Sequence, residues 1–518
     1  MALIANGVTK RDRIAFSGQN TIQHIILRFS AKLLGLTFMP LSPTFKSYEV
    51  YEEVRSAGTN IIVTSSEDYH KFEQVFDDNN NNTSNRNPVV KLVVVFDGEL
   101  QQQQQQHQDI KHTTYGQLLV DGSRMGGQQL PQIPYYEVNP DTDPLFLIHT
   151  SGSTGRPKCA MISHRTIIGV AQGMTFFMSS FNSKNTNNNT GAKNKQTVCA
   201  MPYPFGHITA TAYIPLLMIS GVQLVLMDDD INDDGKDLLL IESIKKYRIQ
   251  ILMALPSYGR RLIDPNLALK YDLSSLELMI TGGAAFSGHI AQQIIDTYCI
   301  KFIETYAMTE CLWVSTGGNI NDKFESGNVG QVAPGCQLKI CDLSTGEPLG
   351  PNQDGEICVR GNNVFMGYLD SDNRINLEAI DEDGWYRTGD IGHYDQRERL
   401  FLTDRLKEVI RIGIDNHYVN ISPVEIEMFV LTHPAVSEVV VVGVNNSAGC
   451  HWPRAYVVRK QQGHTVTGDD IDKFVADTLA YTKQLKAGVV FVDTIHRTSI
   501  GKVDRKYYRN LVMNEIFD

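Results

Sequence analysis

The sequence predicts an α/β fold with a large N-terminal domain of layered, parallel-rich sheets and helices, a small β subdomain, and a small α+β C-terminal domain. Two observations support this prediction. In the middle of the chain, short apolar runs alternate with segments of helical spacing, and this pattern changes after about residue 326 and again after Arg405. The length of 518 residues allows two to four domains of about 100–200 residues each.

The alternating region is typical of βαβ units, in which a parallel sheet is buried on both faces. Apolar runs predict strands over Leu145–His149, Val222–Met227, Ile249–Ala254, Leu276–Thr281 and Lys301–Thr305. Helical spacing predicts helices over Ile208–Ile219, Lys236–Tyr247 and Ser287–Tyr298.

The later part of the chain contains two further units. After residue 326, Gly-rich turns separate the alternating segments Gln337–Cys341 and Glu356–Arg360, which indicates a small β subdomain. We therefore place the large domain at residues 1–403 and a small C-terminal domain at residues 404–518. The predicted elements of the C-terminal domain are strands at Val436–Val444, Arg454–Arg459 and Val489–Val492, and helices at Asp469–Leu479 and Asp504–Val512.

Composition limits the classes of partner and compartment. The net charge of −11 argues against broad binding to nucleic acid, and no apolar run reaches the roughly 18–20 residues of a membrane span. Eight scattered cysteines without a close CxxC pair indicate reduced thiols. We expect a cytoplasmic protein, since the chain does not end in a peroxisomal signal of the Ser-Lys-Leu type.

Polar tracts interrupt the large domain. Residues 78–110 and 182–196 contain Asn-rich stretches and a run of six glutamines, with little apolar spacing that could drive burial. We interpret both ranges as surface insertions.

A loop rich in glycine and hydroxyl groups follows the predicted strand Leu145–His149. Glycine allows backbone N–H groups to converge on an anion, hydroxyls donate further hydrogen bonds, and a lysine adds charge. In isolation such a loop is more often a simple turn, and it is not a Walker loop. The candidate phosphate-binding residues are Thr150, Ser151, Gly152, Ser153, Thr154, Gly155 and Lys158.

Two more candidate segments follow strand ends, where sheets of this type bind their ligands. Gly282, Gly283 and Ala284 would let an aromatic base lie against the backbone, and Tyr306 could stack on that base. Thr309 could donate to a phosphate and Glu310 could hold Mg²⁺.

Charged residues in the last third complete the set of candidates. The carboxylate of Asp390 can accept both hydroxyls of a ribose, and Arg405 could hold the same sugar. Lys502 follows a glycine in a loop before the last helix. Each of these charges could equally be an ordinary surface group.

Taken in order, these segments resemble the adenylate-forming superfamily, in the branch of acyl-CoA synthetases, 4-coumarate-CoA ligases and firefly luciferases. The resemblance extends to connecting segments such as Gly327–Gly330, Gly355–Gly361, Ser422–Glu427 and Leu485–Val492. It covers nearly the whole chain apart from the polar tracts.

The resemblance implies a two-step reaction. A carboxylate attacks the α-phosphate of ATP·Mg²⁺ to give an acyl-adenylate and pyrophosphate, and CoA then takes the acyl group and releases AMP. By position, Thr150, Ser151, Thr154 and Lys158 would bind the β- and γ-phosphates, Gly283, Ala284 and Tyr306 would enclose adenine, and Thr309 would meet the α-phosphate. Glu310 would orient Mg²⁺, Asp390 and Arg405 would bind ribose, and Lys502 would contact the reacting oxygens. Asp404 would be the hinge of the C-terminal domain, which would act as a mobile lid.

The sequence also departs from the family pattern. The chain begins where relatives are already a few tens of residues along, so the first elements of the large domain are expected to be missing. Relatives commonly have histidine at the place of Phe205, and an insertion around residues 414–417 lies where CoA is expected. Cys159 stands where glycine is usual, which we treat as tolerated.

These inferences predict an AMP-forming acid–thiol ligase that acts on an apolar carboxylic acid, a fatty acid in the first place and an aryl acid in the second. Phe205, His207 and Gly282 are the candidate pocket residues. Two alternatives remain open, a catalytically impaired nucleotide-binding relative and a luciferase-like monooxygenase.

Overall fold

A computed structural model describes the chain outside a set of short gaps. The described residues are 1–10, 12–42, 45–81, 90–99, 109–126, 136–150, 158–185, 196–227, 234–264, 270–283, 286–317, 324–370, 374–406, 408–414, 417–445, 451–460, 465–498, 502–513 and 515. The predicted site residues Ser151–Gly155 and Ala284, and most of the polar tracts, lie outside them.

The first 185 residues form most of a nine-stranded sheet and its helices. The strands are β1 (Arg13–Ser17), β2 (Thr37–Pro40), β3 (Ile61–Thr64), β4 (Leu92–Val95), β5 (Lys111–Thr114), β6 (Pro144–Thr150) and β7 (Lys158–Ser163). The helices are α1 (Ala2–Ala5), α2 (Ile22–Leu33), α3 (Ser47–Ser56), α4 (Glu73–Asn81), α5 (Tyr115–Gly126) and α6 (His164–Asn185).

The next segment forms a five-stranded sheet in which every pair of neighbours is parallel, in the order β12-β11-β10-β8-β9. Its strands are β8 (Val198–Ala200), β9 (Gln223–Val225), β10 (Ile251–Met253), β11 (Leu278–Gly282) and β12 (Lys301–Thr305). Its helices are α7 (Ile208–Ile219), α8 (Asp234–Tyr247), α9 (Pro256–Leu262) and α10 (Gly288–Tyr298). Each strand and helix predicted in this region is present, with ends that differ by up to two residues.

The third segment contains the predicted β subdomain, whose five antiparallel strands have the order β13-β19-β18-β15-β14. The segment also contributes two strands, β16 and β17, to the edge of the nine-stranded sheet beside β7. The strands are β13 (Asn328–Gly330), β14 (Cys336–Cys341), β15 (Gly355–Gly361), β16 (Gly367–Leu369), β17 (Ile375–Asn376), β18 (Tyr386–Tyr394) and β19 (Leu400–Arg405).

The C-terminal segment has a hairpin and a three-stranded sheet covered by helices. Its strands are β20 (Ile410–Ile414), β21 (His417–Ile421), β22 (Val436–Asn445), β23 (His451–Arg459) and β24 (Val489–Phe491). Its helices are α11 (Pro423–Val430), α12 (Gly468–Ala476) and α13 (Arg505–Val512). The helix predicted to end at Leu479 ends at Ala476, and Asp477 is its C-cap.

The hydrophobic cores explain the layering. One core joins the nine-stranded sheet to the five-stranded parallel sheet and includes buried side chains of α2 and α7. A second core lies on the other face of the nine-stranded sheet under α3 and α4. Two smaller cores lie on the two faces of the C-terminal sheet, against α11 and α12 on one side and α13 on the other. The predicted fold class is confirmed, and the boundary at residues 403 and 404 stays a prediction.

The interpretation of residues 78–110 as a polar insertion is wrong for part of the range. Leu92–Val95 is a strand that is buried on both faces, and it lies between β3 and β5. The run Leu-Val-Val-Val is apolar and β-branched, which favours a central strand despite its polar flanks. In the other tract, residues 182–185 belong to α6.

Candidate functional site

The ends of two adjacent parallel strands position the centre of the site. β11 and β12 run in register up to the pair Gly282 and Thr305, so Gly283 and Tyr306 leave the sheet at the same edge. A Cβ atom on Gly282 would lie 2.7 Å from the backbone oxygen of Thr305. The close approach of these strands explains this glycine, and its predicted role in the substrate pocket stays a prediction.

Tyr306 and Arg405 both bind the carboxylate of Asp390. The hydroxyl of Tyr306 donates to Oδ2 at 2.6 Å, and Nε of Arg405 donates to Oδ1 at 2.7 Å. Asp390 and Arg405 face each other in β18 and β19, so the sheet register sets this ion pair. The carboxylate of Asp390 raises the pKa of Arg405, and burial together with Asp390 raises the pKa of Tyr306 well above its usual range.

Lys502 reaches this cluster from the C-terminal segment. Its Nζ lies 3.3 Å from the position that a Cβ atom on Gly283 would occupy. Burial and the charge of Arg405 lower the pKa of Lys502 to about 8, against the opposing effects of Asp390 and Glu310. Four charged residues predicted from four separate segments therefore act on one another.

Glu310 contributes a buried carboxylate next to this cluster. Its Oε1 accepts a hydrogen bond from the Tyr368 hydroxyl at 2.7 Å, and only 7% of the residue is exposed. The ammonium of Lys158 lies 4.9 Å from the centre of the Tyr368 ring. Tyr368 thus joins the predicted metal residue to the predicted phosphate lysine, and Thr309 is partly buried beside Glu310.

The predicted phosphate loop is closed by an antiparallel pair of strands. Thr150, at the end of β6, faces Lys158 at the start of β7, and its Oγ1 donates to the Lys158 backbone oxygen at 3.4 Å. Beneath this pair, His149 is buried and forms an ion pair with Glu53, and its Nε2 lies 3.0 Å from Oγ of Ser56. Burial opposes the charge on His149, but Cys159 and Glu53 together raise its pKa to about 10.

The turn before α7 carries two candidate pocket residues, Phe205 and His207, and they have different surroundings. Phe205 is 1% exposed, and its ring contacts the guanidinium of Arg28 and the ring of His24 on α2. His207 stacks on Tyr203, and burial together with the charge of Lys502 lowers its pKa to about 3. His207, rather than Phe205, is therefore the member of this pair that lies within electrostatic reach of Lys502.

Asp404 connects the β subdomain to the C-terminal segment. Its carboxylate accepts hydrogen bonds from the Ser422 hydroxyl, which caps α11, and from the backbone N–H of Arg405. The predicted insertion around residues 414–417 lies at the junction of the antiparallel strands β20 and β21, in which Ile414 pairs with His417. Asp415 and Asn416 lie outside the described part of the chain.

Several contributing residues could not be found from the sequence. Tyr368 and Glu53 are distant in sequence from their partners Glu310 and His149. Ser315 is nearer to its partner, since its Oγ accepts from the backbone N–H of Tyr306, nine residues earlier. No local pattern marks them, since a lone tyrosine, glutamate or serine is common in any fold. His149 directly precedes the candidate phosphate loop, but its buried partner was not predictable.

The donors in this site suit a cation that is held largely by a substrate. Among the described residues, no group of three or more His, Cys, Asp or Glu side chains is arranged to hold a metal ion. Mg²⁺ typically binds one or two carboxylates together with substrate phosphates and water. Glu310 provides one such carboxylate, so the residues present fit an ion that arrives with a nucleotide.

Family models match two parts of the chain. A model described as AMP-binding enzyme matches residues 1–369, and one described as AMP-binding enzyme C-terminal domain matches residues 425–502.

No helix in the part of the chain that the structure describes is both long and apolar enough to cross a membrane.

Two relatives align with most of the chain. The 4-coumarate-CoA ligase 1 of Narcissus pseudonarcissus is 28% identical over 502 residues, which cover 95% of this chain and 82% of the relative. The luciferin 4-monooxygenase of Photinus pyralis is 31% identical over 377 residues, which cover 71% and 63%, respectively.

Solved structures share the fold. ATP-bound MatB from Rhodopseudomonas palustris has a TM-score of 0.79 at 22% identity, covering 99% of this chain and 91% of that one. The anthranilate CoA ligase AuaEII in complex with anthranoyl-AMP has a TM-score of 0.78 at 17% identity, covering 99% and 89%.

Proposed function

The chain belongs to the AMP-binding enzyme family of the adenylate-forming superfamily, and on this premise we propose that it is an ATP-dependent acid–CoA ligase for an apolar carboxylic acid. A fatty acid is the first candidate substrate and an aryl acid the second. The observation that carries the proposal is the position of Lys502 beside Gly283, within electrostatic reach of Arg405, Asp390 and Glu310.

In the first half-reaction, a carboxylate oxygen of the acid attacks the α-phosphorus of ATP, and the bond to pyrophosphate breaks. Negative charge moves onto the bridging oxygen during this step. A buried cation stabilises such charge strongly, and the loss of one well-placed donor typically costs on the order of 10²–10³ in rate. Lys502 is the residue that supplies this cation.

The remaining site residues orient the nucleotide. Asp390 has two oxygens with about four lone-pair sites, so it can hold Tyr306 and Arg405 and still accept ribose hydroxyls. Tyr306 and the backbone at Gly283 enclose the adenine. Thr150 and Lys158 interact with the β- and γ-phosphates. Mg²⁺, when bound with ATP, neutralises phosphate charge, and Glu310 is the residue that orients it.

The apolar nature of the acid is inferred from the surroundings of His207. Tyr203 stacks on His207, Ile208 follows it at the start of α7, and both are buried. Leu255, which comes shortly after β10, is also buried, and apolar side chains of this kind support an apolar acid as substrate. His207 is held neutral by burial and by Lys502, which favours an imidazole that accepts or donates a hydrogen bond over one that adds positive charge.

The second half-reaction transfers the acyl group to the thiol of CoA and releases AMP. Asp404 is the proposed hinge about which the C-terminal segment rotates, because it links β19 to the cap of α11. In the observed arrangement Lys502 is in the cleft, which suits the first half-reaction. Rotation would withdraw it and admit CoA.

The decisive test is ATP–pyrophosphate exchange with a panel of saturated, unsaturated and aromatic acids. Exchange should depend on the acid and should fall about 10²–10³-fold in Lys502→Ala. Lys506→Ala is the matched control, since Lys506 is an exposed lysine on α13 and its removal should leave exchange unchanged. AMP release in the presence of CoA then tests the second step.

Two outcomes would replace the proposal. ATP binding without exchange for any acid would indicate the impaired nucleotide-binding relative, which no observation favours at present. The similarity to the Photinus pyralis luciferin 4-monooxygenase motivates a second assay. Light emission and oxygen uptake on addition of luciferin and ATP would indicate the monooxygenase, and we expect neither.

A further inference from the structure

Two polar residues near the N-terminus hold the turn that carries His207. Asn20 lies in the connection between β1 and α2, and Arg28 lies in α2. Their partners in the turn come between 177 and 185 residues later in the chain. These contacts therefore join the nine-stranded sheet to the turn before α7.

The side-chain amide of Asn20 uses its oxygen and both of its N–H donors. Oδ1 accepts a hydrogen bond from the Phe205 backbone N–H at 2.8 Å. Nδ2 donates to the backbone oxygens of Tyr203 at 2.9 Å and of Met227 at 3.0 Å. Met227 lies two residues beyond β9, so Asn20 fastens the turn to the edge of the parallel sheet as well.

Arg28 holds the other polar group of the Phe205 backbone. Its guanidinium donates to the Phe205 backbone oxygen at 2.5 Å and to Oγ1 of Thr211 at 3.3 Å. Oγ1 of Thr211 donates to the same backbone oxygen at 2.8 Å. The guanidinium carbon also lies 4.9 Å from the centre of the Phe205 ring. The backbone N–H, the backbone oxygen and the ring of Phe205 are thus all fixed by Asn20 and Arg28.

Stability alone does not explain a buried cation at this place. Arg28 is 6% exposed, burial lowers its pKa to about 9, and no carboxylate in the described part of the chain pairs with it. Replacing a buried charge by an apolar side chain of similar volume is often neutral or stabilising. The contribution of Arg28 that an apolar residue could not make is its hydrogen bonds to the turn.

The clamped residue is followed directly by Gly206 and His207. A Cβ atom on Gly206 would lie 2.5 Å from the Leu41 backbone oxygen, so the turn packs closely against the end of β2. The His207 backbone N–H donates to the Pro204 oxygen at 2.8 Å, and its Nδ1 accepts from the Thr209 backbone N–H at 3.2 Å. A neutral imidazole whose Nδ1 accepts carries its proton on Nε2. The turn therefore sets both the place of this ring and its tautomer.

We propose that Asn20 and Arg28 are positioning residues of the acid pocket, which fix the turn at Phe205 and thereby the place and the tautomer of His207. The inference deepens the proposed function and rests on it. His207 lies within electrostatic reach of Lys502, so a displaced ring would change the surroundings of the reacting carboxylate. Neither Asn20 nor Arg28 is assigned to ATP, so their loss should impair use of the acid and spare the nucleotide.

The first test compares the KM for the acid with the Kd for ATP. Octanoate and cinnamate are the probes, one for each proposed class of substrate. In ATP–pyrophosphate exchange, Arg28→Met and Asn20→Ala should each raise the KM for the acid by about tenfold, because a small displacement of a positioned group costs up to about 10²-fold. The Kd for ATP, measured by calorimetry, should stay within about twofold.

Two matched variants remove the same kinds of contact elsewhere. Asn60→Ala removes an amide whose Oδ1 accepts from the Arg13 backbone N–H at 3.0 Å, at the opposite end of β1. Arg459→Met removes a guanidinium that donates to the Val466 backbone oxygen and lies 3.3 Å from the centre of the Phe491 ring. Both variants should keep the wild-type KM for the acid.

The second test needs neither ATP nor an acid. In ¹⁵N NMR of histidine-labelled protein, the His207 signals, assigned by their loss in His207→Gln, should show a protonated Nε2 and an unprotonated Nδ1. Arg28→Met and Asn20→Ala should shift both signals towards an average of the two tautomers, and Asn60→Ala should not. Because this readout is independent of turnover, it separates the inference from the proposed ligase function.

An unchanged KM for the acid, together with wild-type His207 signals in Arg28→Met and Asn20→Ala, would overturn the proposal. Equal rises in the KM for the acid and the Kd for ATP would also overturn it, since they would indicate a general loss of structure. If neither probe acid supports exchange, the NMR result decides. If Arg28→Met does not fold, Thr211→Val takes its place, because it removes the hydroxyl that bridges Arg28 and the Phe205 oxygen.

Discussion

The backbone of Gly283 and the side chain of Lys502 are in close contact, since a Cβ atom on Gly283 would lie 3.3 Å from Nζ and 3.5 Å from Cε of the lysine. Gly283 also has φ of +78°, which L side chains rarely adopt. A glycine at this place therefore meets two needs, a backbone turn and room for the lysine that enters from the C-terminal segment.

Gly283→Ala should lower acid-dependent ATP–pyrophosphate exchange by about tenfold or more, because the new methyl group displaces Lys502. Gly346→Ala is the matched control, since Gly346 has φ of +76° and a methyl group added there would meet no described atom within 4 Å. Both variants should lose roughly 1 kcal/mol of stability from backbone strain. Equal exchange in the two variants would show that contact with Lys502 is unimportant.

The pH dependence of adenylation should report the ionisation of Lys502. Because its pKa is lowered to about 8, the charged form that stabilises the developing negative charge is lost as the pH rises through this value. We expect kcat/KM for exchange to fall above about pH 8. Lys502→Arg should lose this descending limb, since arginine stays charged. A wild-type profile that is flat to about pH 9.5 would contradict the assignment.

Substitutions around Asp390 should separate its contacts. Asp390→Asn removes the charge that pairs with Arg405 and weakens ribose binding, so the Kd for ATP should rise by about 10–100-fold. Tyr306→Phe removes one hydrogen bond and should raise the Kd by about 2–10-fold. Tyr394→Phe, in the same strand but bonded to the Leu349 backbone oxygen, should bind ATP normally by calorimetry.

Glu304 should make the folded protein sensitive to pH. Its Oε1 accepts from the Phe286 backbone N–H at 3.1 Å, Oε2 has no partner within the described residues, and burial raises its pKa to about 7. The folded state holds this proton more tightly than the unfolded state, so the stabilisation is full below about pH 4 and is lost as the pH rises through about 7.

Glu304→Gln should therefore flatten the stability profile between about pH 4 and 7 and raise stability at about pH 8 by roughly 1–3 kcal/mol. Glu242→Gln removes an exposed carboxylate from α8 and should leave the profile unchanged. Urea denaturation at several pH values measures both. A Glu304→Gln variant that is less stable than the wild type under these alkaline conditions would disprove the role of burial.

If Asp404 is the hinge, one substitution there should slow the second half-reaction and spare the first. Asp404→Pro fixes φ at the penultimate residue of β19, just before the C-terminal segment, so acyl transfer to CoA should slow by about tenfold or more. Exchange should persist, because Lys502 is already in the cleft. Asp404→Ala loses the same carboxylate but keeps backbone freedom, and single-turnover assays should find its transfer step faster than that of the proline variant.

Much of the fold could be predicted where the periodicity was clear. The parallel sheet from β8 to β12 and the C-terminal elements follow from apolar runs and helical spacing. The strands β1 to β5 were missed, and β4 was assigned to a polar tract. All five strands have only four or five residues. The strands β1 to β4 are also largely buried, so they lack the alternation that marks a strand with one solvent-facing side.

The sequence by itself determined the order of the chemistry-bearing segments and thereby the family and the fold. Lys158, Thr309, Glu310, Asp390 and Lys502 could be chosen because each lies in a short, dense motif. Only the tertiary structure decided which groups touch. It brings the Tyr368 hydroxyl to the carboxylate of Glu310, and it packs the ring of Phe205 against Arg28 and His24 of α2. The reason is physical: contacts between residues tens or hundreds of positions apart depend on how layers pack, and local periodicity carries no information about that packing.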